Sequence, residues 1–433
     1  MLRPDPIPGL NFSFLCRYVL LLLALDPVLV AQEQSLITDF GATAGGTVLN
    51  TTAIQAAIDA AAAKGGGTVV IPAGIFRSGA IFLKPGVGLH LAAGAVLLGS
   101  ASIEDYPKQL TRIEGHFEPW RMALVNAQGL EKLRISGEGR LDGNGATYWS
   151  AFWQRRKENP QCTNLEVERP RLLFIDRCHD VRIEGLTLEN SGFWNIHLYR
   201  CSAVLIEGVS ISVPTGSVRA PSTDGIDIDS SQNVTVRHCR IAVDDDCIAL
   251  KGSKGPLADR DTDSPAVENI LVEQSEFGRG GGVLTCGSEA TVVRHVTVRA
   301  CTVTGKAILV CLKLRPDTPQ LYEDLLFDGI KFSGGDGRIL QARPWNQFFD
   351  LKGHPPPPPR VVKNLTVRNL SGAYGSFGIL AGNPGDVLRD VTLENIDLKL
   401  AEEKLVLGPV ENLVLKNVVI NGRPFTAHVA EPK

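Results

Sequence analysis

From about residue 130 onward, short runs of alternating apolar and polar residues recur, often opened by Asn or Asp. They fall at 131–135, 180–183, 203–206, 233–236, 269–272, 295–298, 324–327, 364–367, 390–393 and 412–415. Alternation of this kind puts successive side chains on opposite faces of a strand. From residue 180 the runs repeat at intervals of roughly 22 to 40 residues, and each is trailed by a second short run, as at 185–188 and 395–398. Strands at this spacing without intervening helices predict an all-β fold, a right-handed parallel β-helix whose stacked coils bury one continuous core. A propeller would show a more even period and repeated aromatic signals. A sandwich would need more hairpin turns.

Before the repeat, the pattern changes once. At 54–61 the apolar residues Ile54, Ala57, Ile58 and Ala61 fall on one helical face, with Asn50 or Thr51 available as the cap. Gly65, Gly66 and Gly67 stop this helix, and only strand-like runs follow. One helix ahead of a solenoid predicts a cap on its first coil. The five prolines at 355–359 read as a stiff exposed loop between coils.

Composition fits this picture. The 433 residues include 44 glycines and only 6% aromatics, which suits many strands and tight turns. A net charge of −3 offers no electrostatic footprint for nucleic acid. Arg17 followed by apolar residues at 18–25 and 28–31, ending on Ala31 before Gln32, has the parts of a secretory signal, although Asp26 and Pro27 interrupt it. The expectation is a signal at 1–31, a single domain at 32–433 and a secreted or periplasmic product. The apolar stretch is too short to span a bilayer, and no later one is suited to it. Of nine cysteines, Cys16 leaves with the signal. The remaining eight permit disulfides, but most stand singly in strand-like runs and read as small core residues. No Cys/His cluster suggests zinc.

The candidate chemistry lies at 221–251. Asp224 and the trio Asp244, Asp245 and Asp246 are about one coil apart, beside strand-like apolar sequence where free carboxylates are rare. Adjacent coils sit roughly 4.8 Å apart. Asp224, Asp245 and Asp246, the glycines 280–282 and Lys313 are therefore expected to form one column. Acids this close repel, so at least one keeps its proton beside a carboxylate base. Glycoside hydrolysis with inversion needs such a pair, with acid and base roughly 6.5–9.5 Å apart. Asp245 and Asp246 reach one cleft only if the strand bends, so irregular backbone is expected at 244–246. A calcium site, which Asp227 and Asp229 could join, and a solvated turn are the other readings of these acids.

At these residues the sequence resembles glycoside hydrolase family 28, the polygalacturonase family, in particular its bacterial branch with exo-acting members. The family's Asn-Thr-Asp is matched by Ser222-Thr223-Asp224, and its Gly-Asp-Asp by Asp244-Asp245-Asp246. The runs Asp39-Phe40-Gly41-Ala42, Leu97-Leu98-Gly99-Ser100, 190–197 and 345–351 are similar as well. The resemblance implies Asp245 as general acid, and Asp224 with Asp246 as the groups that activate water. It departs at two positions. Gly281, within Gly280-Gly281-Gly282, stands where the family has histidine, a register fixed by Gly287-Ser288-Glu289. Cys311, before Lys313, stands where it has arginine. In the family these residues help hold the acidic sugar.

Lys313 and Lys251 are therefore candidates for substrate binding, and Arg279 or Arg315 for the missing charge. His197 could contact sugar or pack in the core. Trp194 could serve as a platform, Arg112, Glu114 and His116 could wall the cleft, and Arg343 with Trp345 could close it. The expected protein is a monomeric hydrolase of pectic polysaccharide, with no cofactor, no metal and no membrane span. Alternatives are a hydrolase of rhamnogalacturonan or another uronic-acid glycan, a non-catalytic glycan-binding β-helix, and a calcium-dependent lyase.

Overall fold

A computed structural model describes residues 33–427, apart from 215 and 217. The expected signal at 1–31 lies outside the described residues. Among them no helix is long and apolar enough to cross a membrane.

The alternating runs form one column of parallel strands. His179–Glu184 pairs with Ser202–Glu207, then follow Gln232–Arg237, Val267–Glu273, Val292–Arg299, Leu321–Asp328 and the long strands Val361–Leu380, Val387–Leu407 and Glu411–Ile420. Their register superposes the inward residues. Val181, Val204, Val234, Ile270, Val296, Leu325, Leu365 and Val391 make a single buried stack. Each such side chain contributes about 1.5–3 kcal/mol on burial. Two further columns complete each coil, and the whole is a right-handed parallel β-helix.

The Asn and Asp residues that open the runs have a conformational reason. Asp180, Asn233, Asn269, Asp324, Asn364, Asp390 and Asn412 all have φ between 52° and 58°. Asn and Asp tolerate this left-handed region better than other residues with a side chain. Stacked on successive coils they also bond to one another. Asn269 Nδ2 donates to Asn233 Oδ1 at 3.1 Å, Asn364 Nδ2 to Asp324 Oδ1 at 2.8 Å and Asn412 Nδ2 to Asp390 Oδ1 at 2.7 Å.

The capping helix is present as α1 (Thr51–Ala63), burying Ile54, Ala57, Ile58 and Ala61 against the first coils. Asn50 occupies the cap position without capping through its side chain. It braces the preceding loop instead, accepting from the Thr43 N–H at 2.7 Å and donating to the Val48 carbonyl at 2.9 Å.

The expectation of no second helix fails. α2 (Ala146–Glu158) lies in an excursion between strands Val125–Gln128 and Leu173–Asp176, whose paired ends are 48 residues apart. It buries Tyr148, Trp149 and Phe152. A second excursion forms the antiparallel hairpin Lys108–Ile113 and His116–Arg121. The eight cysteines of the described residues are free and buried. The proline run at 355–359 is largely exposed and irregular, as expected.

Candidate active site

The acids stand where the chain turns into the third column of strands. That column includes Ile196–Tyr199, Ile226–Asp229, Ile248–Lys251, Gly282–Cys286 and Ile308–Leu314. Ile226 pairs with Ile248, so Asp224 and Asp246, each two residues earlier, fall side by side. Backbone bonds fix this. Gly225 N–H donates to the Asp246 carbonyl, and Asn195 N–H to that of Asp224, both at 2.9 Å. The residues at 243–247 are not strand, as expected, and the bend brings Asp245 and Asp246 to the same groove. One oxygen from each of Asp224, Asp245 and Asp246 lies within 4.8 Å of the others.

The single column expected for these residues needs one correction. Leu250, Cys286 and Leu312 share a register, so Lys313 stacks in line with Lys251, two coils on, rather than in line with Gly281. It reaches the acids by length, with Nζ 2.7 Å from Asp246 Oδ2. Asp246 Oδ1 accepts from the Gly282 N–H at 2.9 Å.

Burial and repulsion set the charges. Burial, then the charge of Asp245, pushes the Asp224 carboxyl up to about 8. Burial and the charge of Asp246 raise Asp245 too. The cluster therefore keeps a proton at neutral pH. Lys251 Nζ lies 3.5 Å from Asp224, Asp227 and Glu289, and 4.7 Å from the centre of the Trp194 ring. Burial opposes the charge on Lys251 and on Lys313, but the surrounding carboxylates outweigh it and hold both ammonium groups above their ordinary range. Asp244 turns from this cluster. Its Oδ2 accepts from the Ala220 N–H at 2.8 Å, and its Oδ1 meets Arg279 Nε at 2.6 Å.

The groove encloses about 390 Å³. Lys251, Lys313 and Arg315 line it with the three acids, whereas His197, Arg279 and Arg343 do not. His197 is fully buried, 2.8 Å from Arg171 NH1 and 3.4 Å from Asp229 Oδ2, so it is a packed core residue that no sugar reaches. Arg279 is spent on Asp244. Arg343 is exposed beside Trp345, with its guanidinium 5.5 Å from the ring centre. Arg315 lines the groove but is ion-paired to Asp317 at 2.6 Å through NH2, which also donates to the Phe348 carbonyl, while NH1 donates to that of Gln347. It fixes a loop and offers no free charge. Of the hairpin candidates, Glu114 reaches the groove, whereas Arg112 is buried on Asp229 at 3.0 Å.

The two departures from the family pattern have local explanations. A Cβ at Gly281 would stand 2.6 Å from Asp246 Oδ1. Here the carboxylate of Asp246 occupies the space a side chain would need. Cys311 is buried against Gln341, with Nε2 at 3.6 Å from its sulfur.

Several groove residues were not singled out from sequence. Phe152, Trp153 and Arg156 come from α2, Arg219 from the loop before Asp224, and Glu289 from a segment read only for register. The aromatic pairs Tyr148/Phe152 and Trp149/Trp153, each four residues apart, carried the signal for α2.

A parallel β-helix with a groove that gathers three carboxylates and two lysines carries the acid and base groups that hydrolysis of a glycosidic bond requires. The model of the glycosyl hydrolases family 28 matches residues 110–404, and the chain belongs to that family. It is 32% identical over 423 residues to a probable polygalacturonase of Vitis vinifera, covering 90% of this chain and 74% of that one. It is 24% identical to an exopolygalacturonase of Platanus acerifolia, covering 78% and 81%. Among solved structures, the exopolygalacturonase of Thermotoga maritima superposes with a TM-score of 0.70 at 23% identity, covering 91% of this chain and 93% of that one. The family 28 exopolygalacturonase of Yersinia enterocolitica gives 0.71 at 23%, covering 92% and 77%.

Proposed function

We propose that the chain hydrolyses glycosidic bonds in a pectic polysaccharide, with Asp245 as general acid and Asp224 and Asp246 together as the base. The observation that carries this is the carboxylate triad within 4.8 Å, in which burial and mutual repulsion retain a proton for the acid while another carboxylate stays ionised as the base. Asp245 is the least buried of the three and donates its proton to the glycosidic oxygen as the bond from that oxygen to the anomeric carbon breaks. A water on the opposite face forms the new bond and gives its proton to the Asp224/Asp246 pair, which inverts the carbon. The nearest oxygens are closer than the roughly 6.5–9.5 Å that usually separates an inverting acid from its base. Lys313 orients Asp246 and Lys251 orients Asp224. Their ammonium groups compensate the acids, which favours this reading over a calcium site.

Replacing Asp245 by Asn and assaying new reducing ends on polygalacturonate tests the mechanism. Activity at the wild-type level would sink it. Gly281 and Cys311 favour a second reading, a hydrolase of rhamnogalacturonan or another uronic-acid glycan. Comparing rates on purified fragments of each polymer separates the two. The same reading includes export through cleavage after Ala31, so the mature protein should begin at Gln32 on N-terminal sequencing. It also includes a monomer, to be checked by sedimentation.

A further inference from the structure

The cations that line the groove divide into two sets. Lys251, Lys313 and Arg315 are each ion-paired to a buried acid. Arg156 and Arg219 line the same groove, and among the described residues neither forms an ion pair. Arg156 is half-buried, and its Nε has no hydrogen-bond partner although solvent does not reach it. Its guanidinium lies 5.2 Å from the centre of the Phe152 ring. Arg219 is held by its own NH2, which donates to the Asp244 carbonyl at 2.8 Å, and by Trp153, whose Nε1 donates to the Arg219 carbonyl at 2.7 Å. Trp153 is itself braced edge-on against Phe152, with ring centres 5.2 Å apart. The arrangement is a fixed aromatic face flanked by two guanidinium groups, next to the residue that adjoins Asp245.

We infer that Trp153, Arg156 and Arg219 form a subsite for the carboxylate of a uronic-acid residue adjoining the cleaved bond, supplying the charge lost at Gly281 and Cys311. This rests on the proposed hydrolysis of pectic polysaccharide and names its substrate class as the free uronate. An unpaired guanidinium in a partly enclosed groove is the group best matched to a carboxylate, which it takes by two parallel bonds. A flat indole beside it suits the apolar face of a sugar ring. The subsite belongs to α2 and so to the excursion, which is why the repeat gives no sign of it.

The test is a charge cycle on enzyme and substrate. Oligogalacturonate of defined length and the same oligomer with every carboxyl methyl-esterified are compared on wild type, Arg156→Gln, Arg219→Gln and Arg156→Lys. On the acid, each Gln variant is expected to lower kcat/KM about ten- to a hundredfold, chiefly through KM, with Arg156→Lys in between. On the ester the same variants should change it by less than about threefold. Equal losses on acid and ester, or none on the acid, would overturn the subsite. If wild type cleaves neither oligomer, the proposed reaction fails, and calorimetric titration of the same proteins still decides the subsite. Oligogalacturonate that binds and is weakened by the Gln variants supports it. Binding that is absent, or indifferent to both arginines, rejects it.

Discussion

Lys313 Nζ lies 2.7 Å from Asp246 Oδ2, although the two backbones sit on different levels of the β-helix. The ion pair is nearly closed to solvent, with the side chains 13% and 3% exposed. It does two things at once. It compensates one member of a crowded carboxylate triad, and it turns the other oxygen of that carboxylate toward the Gly282 N–H at 2.9 Å. Several tests follow from this pair and its surroundings.

Removing the ammonium leaves Asp246 buried without a counter-charge. Lys313→Met is expected to lower kcat about a hundredfold or more, because the base loses its orientation and its counter-charge. Thermal unfolding should accompany the assay. A variant that keeps its melting temperature and loses turnover places Lys313 in the chemistry. Unchanged turnover would remove it.

Restoring the family histidine should not restore the family's activity. A side chain at Gly281 begins 2.6 Å from Asp246 Oδ1, so Gly281→His must push that carboxylate aside or distort the bend. A loss of kcat of at least about tenfold is expected. A gain on polygalacturonate would show that the site adapts and that the crowding does not matter.

The raised Asp224 carboxyl makes stability depend on pH. Its folded value of about 8 lies above the ordinary value of about 3.9 in an unfolded chain, so the native state holds this proton more tightly. Its contribution to stability is full below about pH 4 and is lost as pH rises toward 8. Asp224→Asn should therefore gain stability relative to wild type between pH 4 and pH 8. Urea unfolding at both values measures this, and a constant difference would contradict the burial argument.

Away from the groove lining, Arg112 and Asp229 form a pair at 3.0 Å with both side chains 1% exposed. Burial would raise the Asp229 carboxyl, but Arg112 and His197 outweigh it and hold it well below the ordinary range. Arg112→Met strands that charge and is expected to cost about 3–5 kcal/mol in urea unfolding. A cost within about 0.5 kcal/mol, the size of a surface change, would show that the pair is structurally idle.

How much of this was legible follows from what sets each feature. The Asn and Asp openers announced the coils because a left-handed corner repeats at every rung, and those residues tolerate it. The Asp224 to Asp246 alignment was legible because the interval between them is close to one coil. His197, Arg279 and Arg343 misled for a shared reason. His197 and Arg343 lie one coil from site strands and Arg279 two residues from Gly281, but a side chain's direction depends on strand parity and on which partner lies nearest. His197 falls inward on Arg171, Arg279 is captured by Asp244, and Arg343 turns out beside Trp345. Lys313 lines the groove from a different register than its spacing predicts, since a long side chain hides a displaced backbone.

The sequence by itself determined the β-helix, its first cap and the carboxylates at 224 and 245–246, because these rest on periodic local preferences that repeat along the chain. Only the tertiary structure decided which cations are free. Pairing is a matter of where side chains meet in space, and it commits Lys251, Lys313 and Arg315 to acids while leaving Arg156 and Arg219 without an ion pair. It also decided that a helix outside the repeat would wall the groove. The packing of α2 depends on surfaces that exist only once the coils have stacked.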